Sequence, residues 1–229
     1  MSSDAAAPPA AVIFDLDGVL LDSEQLWNRA KEELVRQAGG RWRPEASRAM
    51  MGMSSPEWSR YLRDELGVGL ALDRINDDVV ARMERMYRQE LPLLPGAVSA
   101  VRLLSRRWPL GLASSSNRAL IDLVLDVAGL ADAFAATVSS EEVPRGKPAP
   151  DVYVETARRL QVPAEECVAI EDSSNGLRSA HAAGMAVIAV PNPHYPPDAD
   201  AVALAAASVG TPGELSAELV AQVARRSGR

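Results

Sequence analysis

Two aspartates stand one residue apart in Asp15-Leu16-Asp17-Gly18, directly behind an apolar run. In an extended chain such a pair falls on one side, and Gly18 lets the backbone turn sharply after it. Carboxylates this close repel unless a divalent cation lies between them or one keeps its proton. Either condition suits phosphoryl transfer, but the same four residues also make an ordinary solvated turn. Three other clusters carry a similar double meaning. Ser114-Ser115-Ser116-Asn117 offers hydroxyls and backbone N–H groups of the kind that cradle a phosphate, and it would equally cap a helix. In Arg145-Gly146-Lys147-Pro148-Ala149-Pro150-Asp151 the prolines stiffen the chain around Lys147. A fixed ammonium there can serve both a carboxylate and a phosphoryl oxygen, whereas most lysines are plain surface residues. Glu171-Asp172-Ser173-Ser174 again sets two acids side by side, a donor set suited to a hard cation, with Ser174 as the start of the next helix.

These clusters need elements that bring them together. Each follows a short apolar stretch. Residues 10–16, 110–114, 137–139, 168–171 and 187–190 read as strands. Continuous apolar runs suit parallel strands covered on both faces. Helical stretches at 97–106, 117–128, 150–160 and 174–183 alternate with them, which predicts an α/β fold, a doubly wound Rossmann-like parallel sheet. Ligands of such sheets bind beyond the carboxyl ends of the strands, where all four clusters would lie.

One segment breaks the alternation. Residues 22–91 show helical spacing, with Leu26, Ala30, Leu34 and Ala38 in one stripe and Ile75, Val79, Met83 and Met86 in another. About 70 residues is too long for a simple connection between strands, so an inserted helical domain is expected. The expected division is a discontinuous core, 1–20 with 93–229, and a helical cap, 21–92. Residues 199–207 read as low-complexity sequence.

Composition narrows the function. The chain has 229 residues with 47% hydrophobic residues, enough for a sizeable core, and a net charge of −7. An acidic chain without a basic run is a poor partner for nucleic acid or an anionic membrane, and no stretch approaches the ~18 apolar residues of a membrane span. The lone Cys167 excludes an intrachain disulfide. The first ten residues lack the basic start and long apolar run of a secretory leader, so the expectation is a cytoplasmic protein, a monomer acting on a small phosphorylated metabolite.

Taken together, FDLDGVLLDSE, ASSSN, GKPAPD and EDSSNG, in that order and with a helical insert after the first, resemble the haloacid dehalogenase-like hydrolase superfamily over nearly the whole chain. The resemblance implies a phosphatase working through an aspartyl-phosphate intermediate with Mg²⁺ as cofactor. By it, Asp15 is the nucleophile and Asp17 the general acid/base. Ser114 and Lys147 hold the phosphoryl group, with Ser115 and Asn117 as further phosphate contacts. Asp15, Asp17, Asp172 and Glu171 form the metal site.

The resemblance has branches. Asp17 argues against relatives that cleave carbon–halogen or carbon–phosphorus bonds. A sugar-phosphate mutase similar to β-phosphoglucomutase is the alternative, since it shares all four clusters. Such mutases carry a His where Trp27 stands and Lys-Gly-x-x-Arg where Met51-Gly52-Met53-Ser54-Ser55 stands. Without those cations the cap lacks the anchor a bisphosphate needs, which favours a sugar- or polyol-phosphate phosphatase. Trp27, Gly52 and Ser55 are the expected specificity residues.

Overall fold

The chain is described here by a computed structural model covering residues 8–51 and 53–227. The apolar runs form strands β1 (Ala11–Phe14), β2 (Leu110–Ser114), β3 (Ala136–Ser139), β4 (Cys167–Glu171), β5 (Ala186–Ala189) and β6 (Ala207–Ser208). All pair in parallel, in the order β3-β2-β1-β4-β5-β6. This is the doubly wound order, in which the chain reverses direction beside the central strand β1 and opens a crevice there. Register brings the active edges level, because Phe14 pairs with both Leu112 and Ile170.

Side chains alternate across the sheet. Val12, Phe14, Leu112 and Ile170 enter one apolar core, while Ala11, Ile13, Ala113 and Ala169 enter the other. Helices α5 (Ala97–Leu104), α6 (Arg118–Val127) and α10 (Ala217–Ser227) cover the first face. Helices α7 (Asp151–Leu160), α8 (Ser174–Ala182) and α9 (Ala199–Val202) cover the second. The segment read as low-complexity is therefore structured: it supplies α9 and the two-residue edge strand β6. Its alanines are small enough to pack against a sheet edge, and two residues carry no readable alternation.

Between β1 and α5 the chain is helical, as its periodicity predicts, with α1 (Glu24–Gln37), α2 (Ala46–Ala49), α3 (Ser55–Asp64) and α4 (Leu72–Gln89). Helices α1 and α3 both pack on α4. The buried stripe of α1 is Trp27, Ala30, Lys31, Leu34 and Val35, so the true inner face is turned from the predicted one and contains a lysine. The segments joining this helical part to the sheet run side by side. Leu21 bridges to Leu93, and Asp22 N–H donates to the Pro92 carbonyl at 2.8 Å.

Candidate active site

Asp15 leaves β1 at its carboxyl end, where its N–H donates to the Ile170 carbonyl of β4 at 3.0 Å. That bond sets Asp15 beside Glu171 and Asp172. Lys147 arrives from the loop beyond β3, and its Nζ lies 2.8 Å from Asp15 Oδ1 and 2.5 Å from Glu171 Oε1. Tyr153 of α7 donates its hydroxyl to the same Glu171 oxygen at 2.9 Å. The other Glu171 oxygen accepts from the N–H of Asp172 at 2.9 Å and from the N–H and hydroxyl of Ser173, both at 3.2 Å. Both oxygens of Glu171 are thus satisfied from within the protein.

Two glycines make this packing possible. A Cβ on Gly18 would stand 1.9 Å from Asp172 Oδ2, and the residue's φ of +82° is itself a glycine conformation. A Cβ on Gly176 would stand 1.8 Å from Glu171 Oε1.

The electrostatics follow from burial. Asp15, Glu171 and Asp172 are at most 6% exposed, and each offers an oxygen within 4.8 Å of the others. Burial pushes the Asp15 carboxyl up to about 8; Glu171 and Asp17 add repulsion, and Lys147 opposes both. Asp172 is raised well above the carboxylate range, first by burial and then by Glu171 and Asp15. Burial works against the Lys147 ammonium, but the charges of Asp15 and Glu171 outweigh it and raise its pKa. Three clustered acids repel one another when ionised, and an all-oxygen donor set of this kind fits a hard divalent cation.

Asp17 sits in a different setting. Its Oδ1 accepts from the Ser23 hydroxyl at 2.5 Å and from Trp27 Nε1 at 3.1 Å, and its Oδ2 accepts from the Ser116 hydroxyl at 2.5 Å. Three neutral donors, two from the start of α1 and one from the loop after β2, therefore hold one carboxylate, with no cation bonded to it among the described residues.

These groups face a cleft between the strand ends and the cap helices. Asp15, Asp17, Lys147 and Asp172 line its floor with Ser115 and Ser116. Ser115 Oγ is buried without a hydrogen-bond partner, an open donor at the floor. Ser114 is fully buried and accepts from the Ser116 N–H at 3.0 Å; it lies beneath the floor.

The roof comes from the cap. Trp27 and Trp58 face each other, ring centroids 6.2 Å apart, with Met50 and Met53 beside them. Two predicted site residues lie elsewhere. Ser55 Oγ donates to Asn117 Oδ1 at 2.9 Å, while Asn117 Nδ2 donates to Glu141 at 2.5 Å and to Asn76 at 3.1 Å. Both side chains are spent on tying cap to core. Gly52 lies outside the described residues. Sequence reasoning missed Ser23, Glu24 and Lys31, and it read Ser116 only as part of a phosphate cradle or a helix cap. The only signal for Ser23 was a hydroxyl a few residues after the first acidic pair.

A family model described as haloacid dehalogenase-like hydrolase matches residues 9–184. Hexitol phosphatase B of Escherichia coli (strain K12) is 37% identical over 189 residues, covering 80% of this chain and 84% of that protein. Fructose-1-phosphate phosphatase of the same organism is 32% identical over 187 residues, covering 79% and 96%. Among solved structures, a β-phosphoglucomutase from Clostridium difficile superposes with a TM-score of 0.82 at 22% identity, over 95% of this chain and 98% of that one. At that identity the likeness is one of fold.

Proposed function

The chain belongs to the haloacid dehalogenase-like hydrolase family and is a phosphoric monoester hydrolase of small phosphorylated metabolites, and from that premise we propose that it cleaves a sugar or polyol phosphate with Asp15 as nucleophile and Asp17 as general acid and base. The observation that carries the assignment is the contrast between the two aspartates. Asp15 lies 2.8 Å from the Lys147 ammonium, while Asp17 is aimed by Ser23, Trp27 and Ser116.

In this reading an Asp15 oxygen attacks phosphorus and the bond to the ester oxygen breaks. Asp17 gives its proton to the departing alcohol, then takes one from the water that attacks the aspartyl-phosphate. A carboxylate nucleophile thus splits one slow displacement into two, and proton transfer assists both. Lys147 and the open Ser115 hydroxyl hold the phosphoryl oxygens, with Ser114 and the N–H groups of its loop beneath them. Asp15, Asp172 and the Asp17 carbonyl would hold a divalent cation, Mg²⁺ by the hardness of these donors, which would supply positive charge to offset repulsion between nucleophile and phosphate. Glu171, already satisfied, serves by ordering Lys147 and the Asp172 backbone. We also take residues 1–20 with 93–229 as core and 21–92 as cap, divided where Leu21 meets Leu93.

The test is a panel of sugar and polyol phosphates followed for phosphate and for organic product. Free phosphate should match ester loss, with no stimulation by a sugar bisphosphate. An isomerised sugar phosphate accumulating without free phosphate would establish the mutase instead.

A further inference from the structure

Lys31 stands in the buried stripe of α1 and is 6% exposed. Its Nζ rests 5.2 Å from the Trp27 ring centroid and 5.5 Å from that of Trp58. It makes no salt bridge and no hydrogen bond to any described residue, and it lines the same cleft as Lys147, Asp15, Asp17, Asp172 and Glu24. Buried charges are ordinarily paired, because an unpaired ammonium loses its hydration for nothing in return. The two indole faces replace part of that hydration, but an indole offers no hydrogen-bond acceptor in its plane, which leaves the N–H donors to whatever fills the cleft. If the position served packing alone, a methionine would fill it without any desolvation. The cleft it lines is the one onto which Asp15, Asp17 and Lys147 open.

We propose that the Lys31 ammonium, gripped by Trp27 and Trp58, is the binding site for a second anionic group on the substrate, a carboxylate or a second phosphate, and selects phosphate esters that carry one. The proposal rests on the phosphatase reading and deepens it. The phosphate to be cleaved is claimed by Lys147 and Ser115 at the floor, so the cation in the roof addresses the far end of the molecule. The ammonium remains the dominant form near neutral pH: burial lowers its pKa to about 8, against the opposing pull of Glu24 and Asp17. Those two carboxylates act on it through space only, and neither closes an ion pair with it. The position also accounts for a cap without charge at Met51 and Ser55. The charge is on the first cap helix instead.

The experiment compares three esters of one carbon skeleton. Glucitol 6-phosphate has a neutral far end, gluconate 6-phosphate a carboxylate, and glucitol 1,6-bisphosphate a second phosphate. Phosphate release gives kcat/KM for each, with wild type and with Lys31→Met. In wild type at least one of the charged esters should exceed the neutral one by about tenfold or more, the worth of a hydrogen bond to a charged group; which of the two does so identifies the anion. In Lys31→Met the ratio should fall to near one. Lys31→Gln, polar but uncharged, replaces Lys31→Met should thermal unfolding show the latter misfolded. A wild-type preference for the neutral ester, or a preference for the charged esters that persists in the folded variant, overturns the proposal while leaving the phosphatase reading standing. Absence of phosphate release from all three and from every other ester of the panel overturns both.

Discussion

On the core side of the cleft, Asp15, Lys147, Glu171 and Tyr153 form one unbroken chain of contacts between 2.5 and 2.9 Å, and Asp17 is held by three donors. On the cap side, Lys31 leans on two indoles without a hydrogen bond to any described residue, beside two methionines. The core groups hang from strand ends whose register the sheet sets, so their positions are inherited from backbone pairing. The cap groups hang from helices packed on one another, and their side chains are aromatic or flexible. On the proposed reading, chemistry that must be repeated on every substrate sits where geometry is rigid, and recognition sits where a few side-chain changes alter it without touching the floor.

If the floor is the chemical half, its single substitutions should be severe and insensitive to which ester is offered. Asp15→Asn keeps nearly the same shape and leaves Lys147 its bond to Glu171. Steady-state phosphate release should fall by about 10⁴-fold or more, in line with the loss of a nucleophile elsewhere, while circular dichroism and the thermal midpoint stay close to wild type. Substantial turnover by the pure variant would remove Asp15 from its role.

Stripping divalent metal should be comparably severe. With Asp15, Glu171 and Asp172 clustered against one ammonium, and burial raising the pKa of Asp15 and Asp172, activity should be lost on exhaustive chelation and recovered with Mg²⁺. Ca²⁺, with its larger and looser shell, should bind and not restore turnover. Full activity after chelation would mean that Lys147 alone handles the charge.

Asp17→Asn comes next, with an expected loss of about 10²- to 10⁴-fold on sugar and polyol esters. Their alcohols leave poorly without a proton. p-Nitrophenyl phosphate, whose leaving group needs little assistance, should lose far less. Equal losses on both would assign Asp17 to the metal or to structure.

The two sides also differ in how far the sequence discloses them. The floor was legible because its residues are adjacent in the chain: Asp15 with Asp17, Glu171 with Asp172, Lys147 between prolines, each behind an apolar run that reads as a strand. The sheet then needed only parallel pairing to assemble them. The roof was mostly illegible. Trp27 drew notice through a family alignment, but Lys31, four residues on, looked like an ordinary polar position on a helix, and only packing of α1 and α3 on α4 reveals that it is enclosed. Ser55 and Asn117 show the converse error. Both are polar and near motifs, yet they meet each other across 62 positions of sequence and tie cap to core. Strand β6 escaped because two residues have no periodicity, and its pairing with β5 is a tertiary event.

The mildest substitution probes one of the bonds that join the two sides. Trp27 belongs to the roof by its ring and to the floor by its Nε1–H, which reaches Asp17 Oδ1 at 3.1 Å. Trp27→Phe keeps an aromatic face beside Lys31 and Trp58 but removes that donor, leaving Asp17 to Ser23 and Ser116. One neutral hydrogen bond is worth about 0.5–1.5 kcal/mol net, so kcat on a polyol phosphate should drop about two- to tenfold. Because the bond acts through Asp17, the drop should shrink on p-nitrophenyl phosphate, where protonation matters little. Trp58→Phe supplies the control: it trims the same wall from the other side, and Trp58 has no bond to Asp17 among the described residues, so its effect should fall on KM and be alike for both esters. A leaving-group dependence in Trp27→Phe that is absent from Trp58→Phe makes Trp27 a positioning residue for the acid. Identical profiles for the two variants would make its N–H idle and return Trp27 wholly to the wall.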